Sequence, residues 1–209
     1  MSRLLYVEAS PRGAKSRSSQ VATRLTTALR SRFPALELDH LNIWHEEFPA
    51  LDGDLIAAKY ARLAGKALAP HEVRAWAAIE TMVRRLDAAD RMVISSPLWN
   101  FSIPYRLKHY IDLVTQPGLT FTFDPKAGYR PLLRSRPVDI VLASAGDYRS
   151  GPSWGRPDLA TPYLREALAF IGLTDVRVIA VGPTVGDQAD VSASIARAEA
   201  EVDRILQGA

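Results

Sequence analysis

The 209-residue chain contains no cysteine. That absence excludes a disulfide scaffold, thiolate metal sites and cysteine nucleophiles, and with them the cysteine-based phosphatases built on related sheets. Long apolar runs are missing as well. No stretch approaches the ~20 residues of a membrane span, and the N-terminus enters a strand without the apolar core of a signal peptide. A cytoplasmic protein with no membrane partner is expected. Charge is not concentrated either: 26 Lys and Arg against 23 Asp and Glu leave +3, and Arg84-Arg85 is too short a basic run for a nucleic-acid face. The four histidines show no metal-ligand spacing, so no metal site is expected. Two phosphate motifs are absent. Without G-x-x-x-x-G-K-[ST] a nucleoside-triphosphate loop is excluded, and Gly13 stands alone where a dinucleotide turn needs several glycines.

What is present begins with LLYVEASPRGAKSRS, residues 4–18. An apolar run stops at Ser10-Pro11-Arg12, further hydroxyls follow at Ser16, Ser18 and Ser19, and Val21, Leu25, Leu29 and Phe33 then recur at helical spacing. A strand that delivers hydroxyls and bases onto a helix N-terminus suits an anion, because first-turn N–H groups lack intrahelical acceptors and the helix dipole is positive there. Arg12, Lys15 or Arg17 can add charge, and the ligand expected is a terminal monophosphate.

A hydrophobic fraction of 47% with 23% charge is that of a globular α/β protein, and residues 1–209 read as a single domain. Strands are predicted at 4–9, 36–43, 92–95, 138–144 and 176–181, and helices at 18–33, 55–68, 71–89, 105–115, 161–171 and 187–206. The runs LLYV, MVI and DIVL are apolar on both faces, as a sheet covered on two sides requires. The alternation predicts a flavodoxin-like, doubly wound parallel sheet of five strands in order 2-1-3-4-5, with helices on both faces. Ligands of such sheets sit at the carboxyl ends of strands one and three. Two stretches exceed a minimal crossover: 44–70, with Trp44 and Phe48, and 116–135, where Phe121 and Phe123 alternate as in a short hairpin.

Two further loops fall on the ligand rim. Pro97-Leu98-Trp99-Asn100-Phe101 offers flat rings stiffened by proline, with Asn100 able to read a heterocycle edge. Ser144-Ala145-Gly146-Asp147 carries a glycine that lets backbone approach a ligand. A phosphate hook, a ring platform and a ring-edge reader outline a flavin mononucleotide (FMN) site. One decoy is Gly151-Pro152-Ser153-Trp154-Gly155, which matches the hydrolase nucleophile elbow G-x-S-x-G. It fails on context, because no strand enters it, Pro157 precedes any helix, and every histidine lies upstream.

On these residues the chain resembles the FMN-dependent NADH-azoreductase and quinone-reductase family almost end to end. The resemblance is carried by Ser10 with Ser16-Arg17-Ser18, by the Pro97–Phe101 motif and by Leu107-Lys108-x-Tyr110-x-Asp112-Leu113-Val114. It continues in Gly118-x-Thr120-Phe121, Ser144-x-Gly146, and Thr161-Pro162-Tyr163-Leu164 with Phe170-Ile171-Gly172. It implies a phosphate held by Ser10, Ser16, Arg17 and Ser18, an isoalloxazine lined by Pro97, Leu98, Trp99, Asn100 and Phe101, and a pyrimidine end met by Ser144, Ala145, Gly146 and Asp147. It also implies a homodimer with Phe121 over the partner's flavin, NADH or NADPH as donor, and quinones or azo compounds as acceptors. No side chain is expected to act as a catalytic acid or base. Members often carry Gln at the position of Arg17 and Gly at that of Asp147, where a carboxylate would repel charge on a reduced ring. The alternative is a flavodoxin-type electron carrier without turnover of its own; such carriers are usually strongly acidic, and this chain is not.

Overall fold

The computed structural model describes residues 1–208. Five parallel strands form the sheet: β1 (Arg3–Glu8), β2 (Glu37–Asn42), β3 (Arg91–Pro97), β6 (Val138–Ala143) and β7 (Val176–Val181), in spatial order β2-β1-β3-β6-β7. Counting only sheet strands, this is the expected 2-1-3-4-5. The reversal of winding falls between β1 and β3, paired from Leu4↔Arg91 to Glu8↔Ser95. The remaining pair, β4 (Phe121–Asp124) and β5 (Gly128–Pro131), is the antiparallel hairpin suggested by the alternating phenylalanines.

Strand alternation separates two apolar layers. Leu4 and Tyr6 point to a layer with Val21, Leu25 and Leu29 of α1 (Arg17–Arg32) and Ala198, Val202 and Ile205 of α6 (Gln188–Gln207). Leu5 and Val7 point to the opposite layer, closed by α2 (Gly53–Leu63), α3 (Pro70–Asp87), α4 (Tyr105–Val114) and α5 (Ala160–Phe170). A parallel sheet leaves no wet face, which is why the middles of its central strands, Leu4–Val7, Met92–Ile94 and Ile140–Ala143, are buried apolar runs.

The ends of α2 and α3 show what decided their lengths. The second helix stops at Leu63 rather than running to 68. Gly65 adopts φ +67°, the Gly65 N–H donates to Arg62 O at 3.0 Å, and the Lys66 N–H donates to Ala61 O at 2.8 Å. That pair of bonds is a Schellman stop, which glycine supplies without a Cβ penalty. Helix α3 begins with Pro70 in its first turn, and the Glu72 carboxylate accepts the Ala69 N–H at 2.6 Å. At its other end the buried Arg136 guanidinium donates to the carbonyls of Leu86, Asp87 and Ala89 at 3.0, 2.7 and 2.6 Å. The third strand extends past the predicted 95 to Pro97, because Ser96 and Pro97 still pair with Leu142 and Ala143. The ring-platform loop therefore starts at Leu98.

Candidate functional site

A groove of about 670 Å³ runs along the carboxyl rim of the sheet. It is lined by Ser10, Arg12, Lys15, Ser16, Arg17 and Ser18 at one end and by Pro97, Leu98, Trp99, Ala143 and Ala145 at the other. This volume lies within the ~300–1,000 Å³ typical of small-molecule sites.

The hydroxyl end is built by the connection from β1 to α1. A single 3₁₀ turn at Gly13–Lys15 reverses the chain, and Ser16 caps α1 by accepting the Ser19 N–H at 3.2 Å. Ser16 and Ser18 share a hydrogen bond of 3.1 Å, and both are buried, as is Ser10. The amides of Arg17 and Ser18 have no acceptor among the described residues. The first turn of this 16-residue helix holds no acid, and Arg12, Lys15 and Arg17 line the same end. Free amides, hydroxyls, a positive helix terminus and three cations together are the chemistry that suits an anion such as a phosphate.

The ring end rests on a turn. Trp99 and Ser102 exchange backbone bonds of 2.8 and 2.9 Å, with Asn100 at φ +46° and Phe101 at φ +73°. Two consecutive left-handed residues make this a type I′ turn, where asparagine is favoured at the first central position. Its position is further fixed by the Leu159 N–H, which donates to Phe101 O at 2.9 Å. Trp44 braces Trp99 from the excursion after β2, with ring centroids 6.0 Å apart, and meets Tyr105 edge-on at 5.5 Å. Arg106 anchors that excursion by donating to Ile43 O and Glu46 O, and lies over the Phe48 ring at 5.1 Å.

Ser10, Ser16, Arg17, Ser18, Pro97, Leu98, Trp99 and Ala145 thus share one groove. Other expected residues stand beside it. Asn100 lines a neighbouring cavity with Trp99, Tyr105, Lys108 and Tyr163, where burial pushes the Tyr163 phenol up to about 12 and keeps it protonated at neutral pH. Ser144 and Asp147 line a third cavity, joined to the groove through Leu98. The Ser144 hydroxyl is spent on Gly146 O at 2.8 Å. A Cβ on Gly146 would meet Ser153 Oγ at 2.2 Å, so the close approach this glycine permits is to the next loop. Asp147 is held by the Arg149 guanidinium, with Nε at 2.9 and 3.1 Å from its two oxygens, and this keeps its carboxyl below the usual range. The repulsion expected from a bare carboxylate is thereby offset in place. Phe121 lies outside the groove, 9% exposed, against Phe170 at 4.8 Å and Tyr129 at 5.8 Å.

Sequence reasoning overlooked Thr184 and Val185, which line the groove from the loop after β7. The signal was available, since that strand ends on the same rim as the other three. The decoy serine behaves as its context required: Ser153 sits in a bridge to Arg156, and α5 begins only at Ala160. Among the described residues no cluster of metal-ligating side chains occurs, and no helix is long and apolar enough to cross a membrane.

The chain is 45% identical over 186 residues to FMN-dependent NADH:quinone oxidoreductase 1 of Bradyrhizobium diazoefficiens, covering 89% of each chain. It is 39% identical over 201 residues to FMN-dependent NADH:quinone oxidoreductase of Desulfotalea psychrophila, covering 96% of this chain and 94% of that one. Among solved structures, an azoreductase from Bacillus anthracis superimposes with a TM-score of 0.90 over the whole of both chains at 24% identity, a likeness of fold. The flavodoxin-like fold family matches residues 2–206, and the chain belongs to it.

Proposed function

We propose that this chain is an FMN-dependent oxidoreductase that passes two electrons from NAD(P)H to quinones and azo compounds. The observation that carries the proposal is the groove, which joins an anion-binding loop to a braced aromatic platform at the switch point of the sheet. Its donor set fits FMN: Ser10, Ser16, Ser18, the amides of Arg17 and Ser18, and the cations of Arg12, Lys15 and Arg17 would hold the phosphate. Pro97, Leu98 and Trp99 would carry the ring, with Asn100, Phe101 and the Ser144–Asp147 loop toward its polar edge. The names of the curated relatives support both the cofactor and the reaction.

When bound, FMN supplies the redox chemistry, taking a hydride from the nicotinamide and passing two electrons to the acceptor. The chain's own residues bind, orient and enclose. The platform presents one flat face, so donor and acceptor use it in turn and the kinetics are ping-pong. No side chain is assigned as acid or base, and protons come from water. A homodimer, with Phe121 of each hairpin over the partner's ring, completes the reading, and residues 1–209 act as one FMN-binding domain.

Purified protein should be yellow, with a flavin spectrum and one FMN released per subunit. Steady-state turnover of NADH with a benzoquinone, without any second protein, separates the enzyme from an electron carrier. A colourless protein that fails to take up added FMN would refute the proposal.

A further inference from the structure

The loop that leaves β6 is clamped from two sides. From the segment after β7, the Thr184 N–H and hydroxyl donate to Ser144 O at 3.0 and 2.9 Å. A Cβ on Gly182 would meet Gly146 O at 2.5 Å, and one on Gly146 would meet Ser153, so glycine at both positions lets the neighbouring segments close on the loop. Asp147 then turns the chain, its Oδ1 accepting the Arg149 N–H at 3.0 Å in an Asx turn. The Arg149 guanidinium folds back on the same carboxylate, adding Nη2 at 2.5 Å from Oδ2 to its two Nε contacts. An exposed ion pair joined by side chains alone contributes little, but this one is fixed by main chain and by a bidentate grip.

Fixed charges matter here because of where the loop stands. Ala145 lines the groove, and Asp147 follows two residues on, at most about 7 Å along the main chain. That lies within the ~8 Å screening length at physiological ionic strength. The other charges nearby are engaged elsewhere. Asp158 caps α5 by accepting the N–H groups of Ala160 and Thr161 at 2.8 and 2.9 Å, and Arg197 reaches Gly182 O at 3.4 Å. The Asp147 carboxyl is held below its usual range chiefly by the Arg149 guanidinium and only weakly by Arg197. Asp147 and Arg149 are therefore a balanced pair, and losing either member leaves one unopposed charge beside the groove.

Reduction puts negative charge on the pyrimidine side of a flavin ring, and charges that a protein fixes near that edge tune the cofactor. A cation there favours the reduced form, and an anion favours the oxidised one. We propose that the Asp147–Arg149 pair sets the reduction potential of the bound flavin, with Arg149 as the cation that stabilises charge gained by the ring and Asp147 as the anion that tempers it. Both are positioning residues, acting through space rather than on the reacting atoms. The proposal rests on the oxidoreductase reading and deepens it, since the potential of the flavin decides which quinones and azo compounds are within reach as acceptors.

Spectroelectrochemical titration of the FMN-loaded protein reads the potential directly. Asp147→Asn keeps an acceptor for the Arg149 N–H and leaves the guanidinium unopposed, so the potential should rise. Arg149→Gln leaves the carboxylate bare, and the potential should fall. Each single change should alter the ratio of reduced to oxidised FMN affinity about fivefold, ~20 mV for a two-electron couple, and the double variant should return close to the parent. Mere damage to the loop would move both single variants in the same direction. Shifts of one sign, or unchanged potentials, overturn the inference and leave the oxidoreductase reading standing. Parent protein that takes up no FMN overturns both.

Discussion

Asn100 stands where two explanations for one residue meet, and substitution separates them. The type I′ turn asks for a residue tolerant of φ +46°, and the oxidoreductase reading asks for its amide at the flavin edge. Asn100→Ala removes both properties, whereas Asn100→Gly removes only the amide. An L-residue such as alanine in the left-handed region costs about 1 kcal/mol. For a chain of this size that is roughly 2–4 °C in Tm. Loss of a polar contact to bound FMN costs roughly 1–3 kcal/mol, about 5- to 150-fold in Kd. Thermal unfolding of the apoprotein and flavin-fluorescence titration read the two effects independently. Both variants should lose FMN affinity to a similar degree, while only the alanine variant melts earlier. If Asn100→Gly binds FMN as tightly as the parent, the amide does not meet the ring. If the alanine variant melts with the glycine variant, the turn does not depend on the residue's conformational preference.

Other expectations follow from single contacts. Arg136→Met should destabilise the fold by roughly 2–4 kcal/mol in urea unfolding, because the two α3 carbonyls of Leu86 and Asp87, the Ala89 carbonyl just beyond the helix and the Asp87 carboxylate lose this donor; a change under 1 kcal/mol would contradict the capping role. Gly146→Ala should cost about 1–3 kcal/mol by driving a Cβ into Ser153, and Ser153→Gly in the same chain should recover most of it; two additive losses would show that the clash is not the cause. Asp90 accepts the Ser2 N–H at 2.6 Å, the Ser2 hydroxyl at 2.8 Å and the Arg3 N–H at 3.2 Å, which hold its carboxyl far below the usual carboxylate range. Its contribution is complete above the unfolded value of about 3.9 and is lost as pH falls toward the folded one. Asp90→Asn should therefore flatten the decline in urea midpoint below about pH 4, and an unaltered slope would count against it. Neutralising Arg12, Lys15 and Arg17 together should weaken FMN binding and leave riboflavin binding unaltered; an equal loss for both ligands would remove these cations from the phosphate.

The sheet was legible because burial on both faces forces continuous apolar runs, as in LLYV and in the IVL that follows the buried Asp139, and because those runs alternate with helical periodicity. The hydroxyl loop was legible for a related reason, since Ser10, Ser16 and Ser18 interrupt that pattern just where a strand hands over to a helix. Tertiary bracing was not legible. Nothing in the order of residues announces that Trp44 supports Trp99 across 55 positions, or that Gly146 leaves room for Ser153 rather than for a ligand. The end of α2 lay between: apolar periodicity continues to Leu68, but a Gly at 65 able to close a Schellman pair outweighs it. Thr184 and Val185 were missed because short polar loops carry no pattern of their own and gain meaning only from the strand they follow.

The support of Trp99 by Trp44 has a consequence for how such a molecule diverges. The Trp99 shelf, where the proposed function seats the flavin ring, is propped by Trp44 from an outer segment that Arg106 pins through the Ile43 and Glu46 main-chain oxygens, so the other side chains there can vary while the prop stays put. A change in bulk at position 44 would tilt the shelf without replacing anything that faces the groove. Under the proposed function, preference among acceptors can therefore drift through an outlying loop while the anion-binding end of the groove, built between β1 and α1, is left intact.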